Sequence, residues 1–147
     1  MISYMIKYFD IFILTVIIDI ILFYIYHTSN LNTYDKYNVI IITTIHLFLF
    51  VCLFLKFDLG IDVLHIIFSL NIFLFSLYVT NVKILLVYIG VIMTMLCYWK
   101  IDNRCPMGSY EQLKSFKELT RKAGSFYIIA PYIILGLLLF KIYLHYN

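Results

Sequence analysis

Five long apolar segments, separated by polar ones, run through the chain. They are predicted at 9–26, 39–55, 62–80, 84–99 and 126–144. Each approaches the roughly 20 apolar residues needed to cross the hydrocarbon core of a bilayer. We expect helices, because a bilayer otherwise accepts only closed barrels and the apolar runs lack two-residue alternation. The pattern therefore predicts an all-α polytopic transmembrane bundle of about five helices, with four spans and a re-entrant or peripheral fifth as the alternative.

Composition supports this membrane interpretation. The chain of 147 residues is 64% hydrophobic and 13% charged, whereas soluble domains are roughly 45–50% apolar and 25% charged. So little polar sequence remains that we predict a single membrane domain over 1–147. No small-residue cleavage site follows the first span, which is therefore expected to be a retained signal anchor.

The only long polar segment, 100–125, separates the fourth apolar run from the fifth. Ser109 and Gln112 match a capping box and Gly124 suits a helix end, while apolar residues recur between them every three or four positions. We predict a short interfacial amphipathic helix, with a solvated connector as the alternative. Its cations are expected to bind anionic lipid headgroups or a partner protein. These cations are Lys114, Lys117, Arg121 and Lys122.

The distribution of Lys and Arg predicts the orientation in the membrane. With five spans, one side of the membrane carries Lys7, Lys56, Lys100, Arg104, Lys114, Lys117, Arg121 and Lys122. The other side carries only Lys36, Lys83 and Lys141. We therefore expect the N-terminus and segment 100–125 in the cytoplasm and the C-terminus on the opposite side. No nucleic-acid partner is expected, because such proteins present a basic face on a soluble element.

Three polar residues lie near the centres of the first three spans. They are Asp19, His46 and Asn71. An ionisable side chain at this depth costs roughly 2.5–3.5 kcal/mol, so it should face the bundle and find a partner. Asp19 and His46 are predicted to form a pair.

Further polar residues extend this cluster along the third and fourth spans. Asp62, His65, Ser69, Ser76 and Thr80 recur at helical spacing on the third span. The predicted bundle interior contains Thr15, Asp19, His46, His65, Ser69, Asn71 or Ser76, and Thr94. Gly90 and Gly136 are expected to permit close helix contacts.

Two functions fit this polar cluster. The first, which we favour, is a set of hydrogen bonds between helices, worth about 0.6 kcal/mol each, that hold the bundle together. The second is a proton or ion path or a small polar ligand site, which commonly uses Asp and His at the membrane midplane. The sequence contains neither a selectivity-filter motif nor the interrupted helices of transporters.

The sequence contains no motif of a known catalytic, nucleotide or metal site. We therefore expect no enzymatic activity, no cofactor and no metal. The remaining alternative is redox chemistry by Cys97 and Cys105. Both are expected to be reduced on the cytoplasmic side, and their spacing fits no dithiol motif.

One motif carries a family resemblance. It consists of Trp99, then Cys105, Pro106 and Met107, and then Glu111, followed by the basic stretch 121–124. It resembles an uncharacterised family of small bacterial multi-pass membrane proteins with a Trp, a Cys-Pro-Leu-Thr segment, a Glu and an Arg-x-Ala-Gly stretch. This family has no assigned activity, so the resemblance implies a helical membrane fold. The chain is also similar to short membrane proteins of AT-rich large DNA viruses.

The same motif has a physical interpretation as a membrane exit. Trp99 suits the interface and Pro106 ends a helix. Glu111 is expected to pair with Arg104 or with a cation of the following helix. Cys105 is expected to pack, with palmitoylation or coupling to a partner as alternatives.

The sequence thus predicts a non-enzymatic structural or assembly component of a cellular, organellar or virion membrane. Its expected partners are the lipid bilayer, other membrane subunits or copies of itself. The alternative is a small proton or ion transporter, or an accessory subunit of a larger complex, that uses Asp19 and His46.

Overall fold

The computed structural model describes residues 8–102 and 125–147. These residues form five helices and no strand. The helices are α1 Phe9–Thr28, α2 Thr33–Leu55, α3 Asp58–Tyr78, α4 Val82–Asp102 and α5 Ser125–Tyr146. The prediction of an all-α bundle is confirmed.

Part of the predicted loop motif falls outside the described residues. Trp99 belongs to α4. The predicted amphipathic helix falls outside the described ranges, as do the residues Cys105, Pro106, Glu111, Lys114, Lys117, Arg121 and Lys122.

Four of the helices are long and apolar enough to cross a membrane. They are α1, α2, α3 and the 129–146 part of α5, with mean hydropathies of 2.3, 2.5, 1.9 and 1.6. The apolar part of α4, Val82–Tyr98, is shorter. Large apolar side chains such as Phe23, Phe54 and Leu144 lie exposed on the outside of the bundle, where lipid replaces water as solvent. The protein is therefore an integral membrane protein.

The helices pack around a common aliphatic core. The α2–α3 contact is the most extensive, α1 packs on α2 and α4, and α5 packs on α4 and α3. Each helix supplies at least one fully buried aliphatic side chain, among them Leu22, Ile42, Ile61, Leu85 and Leu138. The core consequently lies along the bundle axis.

A tight turn joins α2 to α3. Lys56 ends α2 in the left-handed conformation, with φ of 56°, and α3 begins two residues later. Gly60 then lies so close to α2 that an added Cβ would lie 2.5 Å from Cys52 Sγ and 2.6 Å from a ring carbon of Phe57. The absence of a side chain at Gly60 therefore permits the close α2–α3 approach.

Helix α2 begins six residues earlier than predicted. Asn32 caps it by accepting a hydrogen bond of 2.8 Å from the Asp35 backbone N–H. Asp35 and Asn38, which the sequence placed in a polar loop, are helical and buried. A capped polar first turn therefore precedes the apolar part of this helix.

Contacts at the helix ends define the two ends of the bundle. At the Asp58 end, the Tyr8 hydroxyl beside the start of α1 donates a hydrogen bond of 2.7 Å to Asp58 at the start of α3. At the opposite Thr80 end, Lys141 near the end of α5 contacts the last turn of α3. The helices α1, α3 and α5 thus run in the same direction.

Candidate functional site

A pair of ionisable side chains lies about halfway along α1 and α2. His46 Nδ1 on α2 lies 2.6 Å from Asp19 Oδ1 on α1. The His46 side chain is 0% exposed, whereas that of Asp19 is 27% exposed. The predicted contact is therefore present. It joins a buried imidazole to a carboxylate at the edge of the bundle.

The second ring nitrogen of His46 faces a different environment. Nε2 is buried and has no hydrogen-bond partner among the described residues. On the α3 side, the centroid of the His46 ring lies 5.1 Å from the centroid of the Phe68 ring. A cavity of about 10 Å³ lies there, which is close to the space that one water molecule occupies. It is lined by Ile45, His46, Leu49, Leu64, His65 and Phe68.

Asp19 borders a larger depression, of about 320 Å³, that opens to the outside of the bundle. The other lining residues are Thr43, Thr44, Leu47 and Phe50 of α2. Both threonine hydroxyls donate to carbonyls of their own helix, at 2.7 to 3.0 Å. Hence, in the described part of the chain, His46 is the only hydrogen-bonding partner of Asp19.

A row of ionisable residues leads along α3 toward this site. Asp58, Asp62 and His65 recur every three or four residues from the first turn, so they share a face. Asp62 and His65 are buried, at 5% and 9% exposure. This face connects the Asp58 end of the bundle with the His46 cavity.

A second, separate polar network includes the predicted residue Asn71. Asn38 donates to Asn71 Oδ1 at 3.5 Å and accepts a 2.7 Å hydrogen bond from the Tyr88 hydroxyl. The network joins α2, α3 and α4, and Ile42 and Phe68 separate it from His46 by an apolar layer. Sequence reasoning missed Asn38 and Tyr88. Extending the three-to-four-residue period of α2 backward from His46 through Ile42 would have found Asn38.

The Thr80 end contains a third network, which the sequence reasoning also missed. Buried Asp35 accepts hydrogen bonds from the Thr80 backbone N–H at 3.1 Å and from its hydroxyl at 3.3 Å. The Asn32 amide donates to the same hydroxyl at 2.8 Å. These contacts fasten the start of α2 to the α3–α4 connection.

Lys141 satisfies the end of α3 from another helix. Its Nζ donates to the carbonyl oxygens of Ser76, Leu77 and Val79 at 2.9, 3.0 and 2.7 Å. The last carbonyls of a helix lack partners within that helix. A lysine of α5 therefore caps α3. In the sequence analysis this lysine served only to predict the orientation in the membrane.

Two residues predicted for the bundle interior and two glycines predicted at close helix contacts lie elsewhere in the structure. Ser69 is exposed, because the buried face of α3 follows His65, Phe68 and Ile72 and leaves Ser69 outside. Thr94 is half-buried and donates to its own helix at Gly90 O, 2.8 Å away. A Cβ added at Gly90 or Gly136 would meet no atom within 4 Å. Neither glycine therefore makes a close helix contact with the described residues.

The described residues contain no group of three metal-binding side chains. Comparisons with protein-family models, with curated proteins and with solved structures find no match. The polar sites within the bundle are therefore the basis for functional inference.

Proposed function

We propose that the protein is a non-enzymatic structural or assembly component of a membrane that associates with further copies of itself. The observation that carries this proposal is the Asp19 carboxylate. It is 27% exposed at mid-helix and borders a depression whose threonines donate elsewhere. A carboxylate at membrane depth requires polar partners, so a donor from another helix would complete this site.

Ser69 of a second copy is the donor that the chain itself offers. It is exposed on α3, and its hydroxyl has no hydrogen-bond partner within residues 8–102 and 125–147. By contrast, other helical hydroxyls donate to carbonyls of their own helices, namely those of Thr15, Thr43, Thr44, Ser76 and Thr94. Ser69 is thus available to a neighbouring molecule.

The depths of Asp19 and Ser69 also agree. Helices α1 and α3 both begin at the Asp58 end. At a rise of 1.5 Å per residue, Asp19 lies about 15 Å along α1 and Ser69 about 16 Å along α3. Two copies standing side by side in one membrane would therefore bring these side chains to the same level.

Such a contact joins two different faces of the chain. A contact of this heterologous type repeats from copy to copy and builds rings or open chains. This geometry suits a component that forms an extended array within a membrane. We propose in addition that the N-terminus and segment 100–125 face the cytoplasm, where Lys114, Lys117, Arg121 and Lys122 bind anionic lipid.

Energy transfer between labelled copies in lipid vesicles, measured over a range of protein-to-lipid ratios, tests the association. Ser69→Ala should weaken it about threefold, the effect of one hydrogen bond of about 0.6 kcal/mol. Asp19→Leu should weaken it at least as much, and adding Ser69→Ala to Asp19→Leu should produce no further loss. Thr94→Ala is the matched control, because that hydroxyl is bonded within its own helix.

Two results would contradict the proposal. One is a wild-type chain that stays monomeric at every protein-to-lipid ratio. The other is an association that Thr94→Ala weakens as much as Ser69→Ala does.

A further inference from the structure

We infer that Asp19 gains and loses a proton through His46, by way of one water molecule in the cavity between His46 and His65. This goes beyond self-association and does not depend on it. The buried Nε2 of His46, which has no hydrogen-bond partner in ranges 8–102 and 125–147, supports it first. A cavity of about 10 Å³ next to the ring, which His65 also lines, supports it independently.

The cavity suits water because it has both room and polar partners. A buried nitrogen without a hydrogen-bond partner destabilises the folded state, and a buried water typically satisfies such groups. Of the residues that line the cavity, only His46 and His65 have polar side chains. The water therefore lies between the two imidazoles.

His46 can then pass a proton between its two edges. In the starting state Nδ1–H donates to the Asp19 carboxylate and Nε2 carries a lone pair. The cavity water, supplied with a proton from the Asp58 end, protonates Nε2 as Nδ1 releases its proton to Asp19. Asp19 becomes a neutral carboxylic acid and His46 remains neutral as its other tautomer. The reverse transfers unload Asp19 and return the proton to the water.

The residues around the cavity indicate from which end of the bundle protons reach it. Asp58, Asp62 and His65 lie on one face of α3 between the Asp58 end and the cavity. Toward the Thr80 end, buried Ile42 and Phe68 form an apolar layer. The titratable groups that face His46 are Asp19 from α1 and His65 from α3, and no described residue of α4 or α5 lines the cavity. Protons thus enter and leave from the Asp58 end.

The competing route is direct protonation of Asp19 from the outer depression. Substitutions at two leucines distinguish the two routes experimentally, because Leu64 lines the inner cavity and Leu47 lines the outer depression. Leu64→Phe fills the cavity and leaves every titratable group intact. Leu47→Phe adds the same bulk on the other side and is the matched control.

The experiment records infrared difference spectra of the full chain in lipid nanodiscs after a rapid drop in pH. One copy in each nanodisc removes any effect of association. Wild type should develop a protonated-carboxyl band that is missing in Asp19→Asn. Leu64→Phe should slow this band at least about tenfold, and Leu47→Phe should change its rate by less than about twofold. If Leu64→Phe does not fold, His46→Asn, which keeps an amide nitrogen where Nδ1 meets Asp19, should produce the same slowing.

Three results overturn the inference. They are a wild type without an Asp19-dependent band, a folded Leu64→Phe with an unchanged rate, and slowing by Leu47→Phe in place of Leu64→Phe.

Discussion

The two ring nitrogens of His46 lie in different environments. Nδ1 meets Asp19 at 2.6 Å, while Nε2 lies buried with no partner among the described residues. Burying polar atoms in this way costs stability unless each finds a partner. Replacing one residue of the pair by an apolar residue should therefore cost more stability than replacing both.

A double-mutant cycle tests this coupling at the residue scale. His46→Leu should lower the free energy of unfolding by about 1–3 kcal/mol, because it leaves Asp19 without its partner. The double variant Asp19→Leu/His46→Leu should recover most of that loss, since it leaves neither group unpaired. Reversible unfolding in mixed micelles measures both values. Strictly additive effects would show that the two residues do not stabilise each other.

Single residues also show how far the sequence could predict the site. Asp19 and His46 could be paired because they are ionisable residues near the centres of consecutive spans. Ser69 was misplaced because its spacing from His65 and Ser76 fits a helical stripe, yet the buried face of α3 runs through Phe68 and Ile72. The spacing of polar residues shows that they share one face of a helix. Packing against the other helices determines whether that face is buried.

At the scale of elements, the α2–α3 contact depends on a missing side chain. Gly60→Ala should lower the free energy of unfolding by about 1–3 kcal/mol, because its Cβ would overlap Cys52 and Phe57. Gly90→Ala is the matched control. It should leave stability unchanged or raise it by up to about 1 kcal/mol, since its Cβ meets no neighbour. Thermal unfolding of both variants checks the difference, and equal losses would contradict the packing explanation.

The contact between Lys141 and the end of α3 allows a second test at this scale. Lys141→Met should lower the free energy of unfolding by about 1–3 kcal/mol, because it leaves the last carbonyls of α3 unpaired. Lys83→Met removes only one exposed hydrogen bond, to Ser29, and should change stability by less than about 0.5 kcal/mol. The same unfolding assay measures both, and a larger loss for Lys83→Met would argue against the cap.

The helices were predictable from the sequence, but their ends and their contacts were less so. Runs of apolar residues identified all five, yet α2 extends back to Thr33. Asp35 and Asn38 are polar and therefore looked like part of a loop. Their burial follows from hydrogen bonds to Thr80, Asn71 and Tyr88, partners that lie far away in sequence.

For the molecule as a whole, the count of basic residues predicts an orientation. A single cysteine introduced as Asn147→Cys, with Cys52, Cys97 and Cys105 replaced by Ser, should react with a membrane-impermeant thiol reagent added to the non-cytoplasmic side of the intact membrane. A single cysteine introduced as Phe57→Cys, in the α2–α3 turn, should react only after the membrane is opened. The opposite pattern would place segment 100–125 on the non-cytoplasmic side.

The contact between Lys141 and the end of α3 implies an order of events during synthesis. The three carbonyl oxygens precede Lys141 by 62 to 65 residues, so α3 leaves the ribosome long before its cap exists. Until α5 is synthesised, the last carbonyl oxygens of α3 lack this partner. Docking of α5 therefore completes the hydrogen bonding of a helix that is already made.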